Sequence, residues 1–283
     1  MATPWDRAAA GYLEEWVPRF VPYHTDLVRE LALSPGLRAL VVTAGPGAEV
    51  LAVARAVSPR GVVRATDSSP EMVTICAGEV ARAGLGGVTC ALADAGDTSG
   101  GPWDAVVCAF GLWQIEPAAR ALALEAWRKA LGPRGKVGIV TWGPPEPDDP
   151  FEQLGLALRL VEPQHDVPRP RVLAERAAMA SMFEEAGLAL VRHTVVRHTL
   201  TFPSAERFVR AMREACTWRR RWEELGDARM EKVARAFYEW TGGPDVPLSF
   251  QPPATLAIAG LPGAELELDG RPSVRAPLSS RAS

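Results

Sequence analysis

What most narrows the folds open to this chain is an alternation in its first half of short apolar, β-branched runs with helix-forming stretches. The runs are 37–42, 61–66, 88–93, 104–110 and 136–142. Residues 48–57, a stretch from Ser69 to about Ala83, and 118–131 lie between them and read as helices. Ser69 suits an N-cap, with Pro70 at the first helical position and Glu71 in the first turn. Strands this uniformly apolar, each followed by a helix, fit a parallel sheet covered on both faces. Ligands of such sheets bind at the carboxyl ends of the strands, so chemistry is sought just after each run.

The rest of the chain reads differently. Residues 4–35 look helical and amphipathic, broken near Pro18 and Pro22. A Pro-rich acidic loop, 143–150, follows the fifth run. Helical stretches are expected at 151–162, 174–186 and 205–240, with a strand pair or one long strand at 188–202 and a last strand at 253–259. From 263 on the chain is polar, Pro-containing and without period, and reads as a disordered tail.

A chain of 283 residues, 47% hydrophobic, suffices for one large α/β domain with a cap or for two modest domains. A net charge of −3 gives no electrostatic reason for a nucleic-acid partner. The start lacks a basic region followed by an apolar core, and no apolar run reaches the roughly 20 residues that span a bilayer. No membrane association is expected. Cys76, Cys90, Cys108 and Cys216 show no CxxC spacing; they read as reduced core residues of a cytoplasmic protein, and no metal site is expected.

Three strand ends carry the functional signal. After the first run comes Thr43-Ala44-Gly45-Pro46-Gly47-Ala48-Glu49. Its glycines let backbone approach a ligand, and the helix N-terminus behind them offers amides to an anion. A tight strand-to-helix connection explains the same residues. Asp67 ends the second run, 22 residues after Gly45, a spacing that suits an acceptor for ribose hydroxyls. Asp94 follows the third run, where a carboxylate can meet an adenine amino group; alone it is an ordinary loop aspartate. Together, at consecutive strand ends, the three carry more weight than any one. A nicotinamide-binding turn needs glycine where Val50 stands, which places that alternative last.

These segments resemble the small-molecule class I S-adenosylmethionine-dependent methyltransferases, especially the branch that includes the ubiquinone and menaquinone biosynthesis methyltransferases. The likeness lies in Val41 to Glu49, Thr66-Asp67-Ser68-Ser69-Pro70-Glu71-Met72, Ala93-Asp94-Ala95, Trp103-Asp104-Ala105-Val106-Val107 with Phe110-Gly111-Leu112, and Trp127 to Gly135. Trp5 to Tyr12 resembles the family's opening helix. The likeness is close over 5–143 and looser to about Gly260. It implies a doubly wound, mostly parallel seven-stranded α/β sheet, Rossmann-like, with a helical cap. The last strand, 253–259, would lie in that sheet as a hairpin against 188–202. The domain ranges are N-terminal cap helices at 1–35, the cofactor-binding core at 36–143, cap insertions and final strands at 144–262, and the tail at 263–283.

The resemblance also implies S-adenosylmethionine as cofactor and assigns its neighbours. Gly45 and Gly47 would pass under the methionine portion, with Ala44 and Pro46 of the same turn also binding the cofactor. Asp67 would hold the ribose hydroxyls. Ser68 and Met72 would pack on the adenine, and Asp94 and Ala95 would meet its edge. Phe110 would line the sulfonium side, and Tyr12 would close over the methionine carboxylate. The chain departs from the family at Thr43, usually an acid that orients the cofactor's ammonium, and at Glu49, usually glycine. Glu49 either brings charge near the cofactor's carboxylate or points outward as a first-turn helix acid. On that reading, glycine at 49 leaves cofactor binding unchanged or improves it.

No side chain stands out as a base. Among the histidines, His24 ranks ahead of His165, His193 and His198 because the family's cap borders the pocket. The end of the fourth run, Ala109 to Gln114, is not the Asn/Asp-Pro-Pro-aromatic turn of nucleic-acid base methylation. Trp142, Trp218, Trp222, Phe237 and Trp240 supply either an apolar pocket or plain core. Arg219-Arg220-Arg221 reads as a solvated helix face. The expected function is methyl transfer to a small apolar or aromatic metabolite. The alternative is a catalytically silent methyltransferase-fold partner or binding module. The oligomeric state is left open.

Overall fold

A computed structural model describes residues 3–165, 173–268 and 274–278; the side chain of Cys216 lies outside those described. The chain opens with α1 (Pro4–Glu15) and α2 (Val17–Glu30), then β1 (Arg38–Val42), α3 (Ala48–Val57), β2 (Val62–Asp67), α4 (Pro70–Arg82) and β3 (Val88–Leu92). Next come β4 (Trp103–Ala109), a 3-10 turn at Leu112–Gln114, α5 (Pro117–Ala130), β5 (Leu131–Trp142), α6 (Pro150–Val161) and α7 (Arg176–Glu185). The last elements are β6 (Ala189–Arg197), β7 (Leu200–Phe202), α8 (Ala205–Met212), α9 (Cys216–Leu225), α10 (Asp227–Thr241), β8 (Leu248–Phe250), β9 (Pro253–Gly260), β10 (Glu265–Leu266) and β11 (Val274–Arg275).

By their contacts the residues group into two compact units. The larger holds 21–143, 170–196 and 254–283. Its centre is a seven-stranded sheet in the order β3-β2-β1-β4-β5-β9-β6. The first five strands pair in parallel, and β9 lies antiparallel on β5 with Val140 opposite Leu256. The chain runs outward from β1 through β2 to β3 and then crosses back to β4 on the other side of β1, so the crevice of a doubly wound sheet opens beside the end of β1. Ala39 to Val42 and Ala105 to Cys108 are wholly buried, which explains their unbroken apolar character. Ser69 caps α4 through the Met72 N–H, as its position predicts.

The smaller unit holds 1–20, 144–169 and 197–253. Here α1 begins with a capping box between Thr3 and Asp6. Trp16 packs on Phe20, Phe151 and Phe202, and Phe208 joins Phe151, Phe202, Phe237 and Phe250. The sequence ranges group residues 1–35 together; in the contact grouping the division falls inside α2, between Phe20 and Val21.

Several elements depart from expectation for local reasons. β5 starts at Leu131, because Leu131 pairs with Trp103 ahead of an irregularity in the ladder. Gly135 permits it: a Cβ there would lie 2.8 Å from the Trp103 carbonyl oxygen. The 188–202 segment divides. β6 neighbours β9 in the main sheet, while β7 leaves it to pair with β8. The 205–240 stretch is three helices, the last two divided at Gly226, whose φ is +78°. Pro22 lies within α2, and the break falls at Trp16. The tail read as disordered is ordered where it is described. β10 pairs with β11, and Leu266, Leu268 and Ala276 are buried. The rest of that tail lies outside the described residues. Among the described residues no helix is long and apolar enough to cross a membrane.

Candidate active site

The ends of β1, β2 and β4 converge within the larger unit. The Ala44 N–H donates to the Thr66 carbonyl at 3.0 Å. The Gly45 N–H donates to Asp67 Oδ2 at 2.8 Å, and the Ser69 N–H to Asp67 Oδ1 at 2.9 Å. One carboxylate therefore clamps the glycine turn to the start of α4. Gly47, at φ +95°, is the N-cap of α3, and no side chain caps that helix. A Cβ at Gly47 would come within 2.8 Å of Cys76 Sγ. The turn is therefore a backbone cradle that only glycine completes.

Two non-glycine residues at these strand ends hold left-handed backbone: Thr43 at φ +53° and Phe110 at φ +55°. For a β-branched or aromatic residue this conformation costs on the order of 1–2 kcal/mol, a strain found where a site dictates geometry. The two turns press together. A Cβ on Gly111 would sit 2.0 Å from Thr43 Oγ1. The Phe110 ring lies 4.7 Å from Trp142 and 5.7 Å from Tyr23, an aromatic wall at the ends of β4 and β5.

His24 and Glu49 are far apart in sequence but meet here. Glu49, only 4% exposed, points inward, so of the two sequence alternatives the outward first-turn helix acid is excluded. His24 Nδ1 lies 4.0 Å from Glu49 Oε2 and has no hydrogen-bond partner. The His24 ring is 5.9 Å from Phe110. Burial pushes the Glu49 carboxyl up to about 8, against a hydrogen bond from its own backbone, with the Asp67 charge adding to the rise. Burial likewise pushes the His24 imidazole down to about 4. Neither group ionises easily in these surroundings.

The remaining site residues are placed as follows. Ser68 is exposed and Met72 buried, at the start of α4. Asp94 is exposed and accepts the Gly96 N–H at 2.7 Å. The Ala95 carbonyl accepts Trp127 Nε1–H at 2.6 Å, tying the loop after β3 to α5. Pro46 is buried beside Gly45. Tyr12 belongs to the smaller unit, where its ring meets Trp5 at 5.5 Å and Phe20 at 6.3 Å. Of the aromatics weighed for an acceptor pocket, Phe237 is core of the smaller unit, Trp218 is buried against Trp222, and Trp240 is 46% exposed. Arg219, Arg220 and Arg221 pair with Glu214 and Glu224. His193 contacts the Ala174 carbonyl. Sequence reasoning missed Gly111, Tyr23 and the pairing of His24 with Glu49. Gly111 owes its role to the close approach of Thr43 from the turn after β1, and no local pattern joins α2 to α3.

These groups fit a nucleoside bearing a cationic tail: a carboxylate at the end of β2, a side-chain-free cradle, and a buried imidazole nitrogen without a hydrogen-bond partner beside a buried carboxyl. Comparison with known proteins agrees. A family model described as a methyltransferase domain matches residues 39–135. The nocamycin O-methyltransferase of Saccharothrix syringae is 29% identical over 221 residues, covering 72% of this chain and 78% of that protein. The fold resembles the YcgJ protein of Bacillus subtilis (TM-score 0.56, 18% identity, covering 86% of this chain and all of that one). It also resembles an S-adenosylmethionine-dependent methyltransferase of Aquifex aeolicus (TM-score 0.52, 18% identity, 66% and 91% covered).

Proposed function

We propose that this chain, a class I S-adenosylmethionine-dependent methyltransferase, methylates a small apolar or aromatic metabolite. The observation that carries the acceptor class is the wall of Phe110, Trp142 and Tyr23 beside the glycine turn. The activity named for the Saccharothrix relative, O-methylation, supports an oxygen acceptor as the first to test. A place in the quinone branch rests on the motif likeness alone, and the relatives do not favour the silent-partner alternative.

The cofactor supplies an activated methyl group on a sulfonium; the chain's task is to align the acceptor and manage its proton. In this reading Ala44, Gly45, Pro46 and Gly47 cradle the methionine portion and Asp67 binds the ribose. Ser68, Met72, Asp94 and Ala95 border the adenine, and Phe110 borders the sulfonium. The test is incubation with methyl-deuterated cofactor and a panel of phenols, enols and hydroxylated apolar metabolites, read by mass. A labelled methyl on an acceptor of this class is expected. Transfer only to nucleic acid or protein, or no binding of S-adenosylhomocysteine by a folded chain, overturns the reading.

A further inference from the structure

Glu49 and His24 are two buried polar side chains at the glycine turn that do not satisfy each other. Their facing atoms are 4.0 Å apart, beyond hydrogen-bond reach, and His24 Nδ1 has no partner. The ionisable groups acting on the pair come from every element around it. Asp67 at the end of β2 raises Glu49, and Glu49 in turn acts on Cys76 of α4 and Cys108 of β4. None of these is a cation. A carboxyl facing a second carboxylate and an imidazole acceptor lacks a positive partner. Two acceptors 4.0 Å apart suit one nitrogen between them, at about 2.9 Å from each, with its N–H bonds splayed as in an ammonium.

We propose that Glu49 and His24 together bind the ammonium group of the cofactor's amino-acid end, and that Glu49 releases a proton when they do. The inference rests on the cofactor reading above. The proton balance is simple: the neutral carboxyl loses its proton to solvent, and the carboxylate then faces the ammonium, while the neutral imidazole accepts an N–H through Nδ1. No proton moves to or from the ammonium. An ion pair formed in so dry a place is strong only with both partners present, which makes the site selective for a ligand carrying the amine.

Calorimetric titration at pH 7 in two buffers of different ionisation enthalpy tests this. S-adenosylhomocysteine carries an ammonium and no sulfonium. 5′-Methylthioadenosine carries the same nucleoside without the amino-acid end. The expected result is close to one proton released per S-adenosylhomocysteine bound and none with 5′-methylthioadenosine. Affinity for S-adenosylhomocysteine should rise as pH goes from 6.5 to 8, and Glu49→Gln should abolish both the release and the rise while weakening binding at least tenfold. Release with S-adenosylmethionine alone would assign the charge to the sulfonium and overturn the proposal. Binding of S-adenosylhomocysteine without proton release would overturn it while leaving the cofactor reading intact. Failure of the native chain to bind either cofactor form would instead remove the cofactor reading. The comparison of the two ligands needs no variant, so it decides even if Glu49→Gln does not fold.

Discussion

Asp67 accepts amide hydrogen bonds from both Gly45 and Ser69, so the residue assigned to the ribose also holds the two loops that would surround it. Removing it withdraws a charged acceptor, a loss of about 1.5–3 kcal/mol. We expect Asp67→Ala to weaken S-adenosylmethionine binding by at least about tenfold, measured by calorimetry on folded protein. Unchanged affinity would remove the ribose role. Glu49 makes a second prediction, on stability. Its carboxyl rises from 4.5 to about 8 on folding, so between those values the folded chain keeps a proton the unfolded chain has lost. The stability it contributes is therefore full below about pH 4.5 and declines as pH rises to about 8. His24, lowered from 6.5 to about 4, behaves oppositely: its contribution is full above about pH 6.5 and declines as pH falls. In urea melts, the stability of native protein relative to Glu49→Gln should fall with rising pH across the Glu49 window, by up to about 1.4 kcal/mol per unit. A flat difference would mean that Glu49 is not held neutral. Asp67 was legible from its spacing to Gly45. Glu49 was legible only as a departure from the family, because its partner His24 lies on another helix and its burial depends on packing. Glycine at 49, which the sequence alone makes a neutral or favourable change, now removes half of a binding pair.

At the scale of elements, the strands were legible because burial on both faces leaves an apolar signature, and the helix starts because Ser69 and the Gly47 turn are local signals. Boundaries set by partners were not. Leu131 joins β5 through Trp103, and Leu200 to Phe202 leaves the main sheet for β8. The contact between the turns after β1 and β4 is of the same kind. Gly111 has an ordinary φ, so its need for glycine comes wholly from Thr43 on the neighbouring strand. Gly111→Ala should cost about 1–3 kcal/mol by overpacking. Thr43→Gly removes the obstructing side chain and relieves the left-handed strain, so in its background the Gly111→Ala cost should shrink. A double-mutant cycle in urea reads this coupling. Additive costs would mean the turns do not bear on each other.

For the whole molecule, the segment after β9 decides how much of the chain the larger unit needs. Polarity and proline content made residues beyond 263 look dispensable, because a two-residue ladder leaves no periodicity to read. Yet Leu266 is buried, and Gly260 at the end of β9 is constrained by it: a Cβ on that glycine would lie 2.6 Å from a Leu266 methyl. Ala189 of β6 and Ala276 share a cluster with Leu266. Lys136 of β5, itself buried, donates to the Glu267 carbonyl at 2.8 Å. The segment thus covers the side of the sheet where β5, β9 and β6 lie, and shares with the Leu31 carbonyl the task of satisfying the buried Lys136 ammonium. Leu266→Ala removes the apolar anchor of this cover and should destabilise the protein by about 2–5 kcal/mol, the range for emptying a buried leucine site. A disordered tail would make the same substitution silent. A shift in the urea midpoint with unchanged slope, together with loss of hydrogen-exchange protection confined to β9 and β6, is the expected result; an unchanged midpoint would return the segment to the status of a tail.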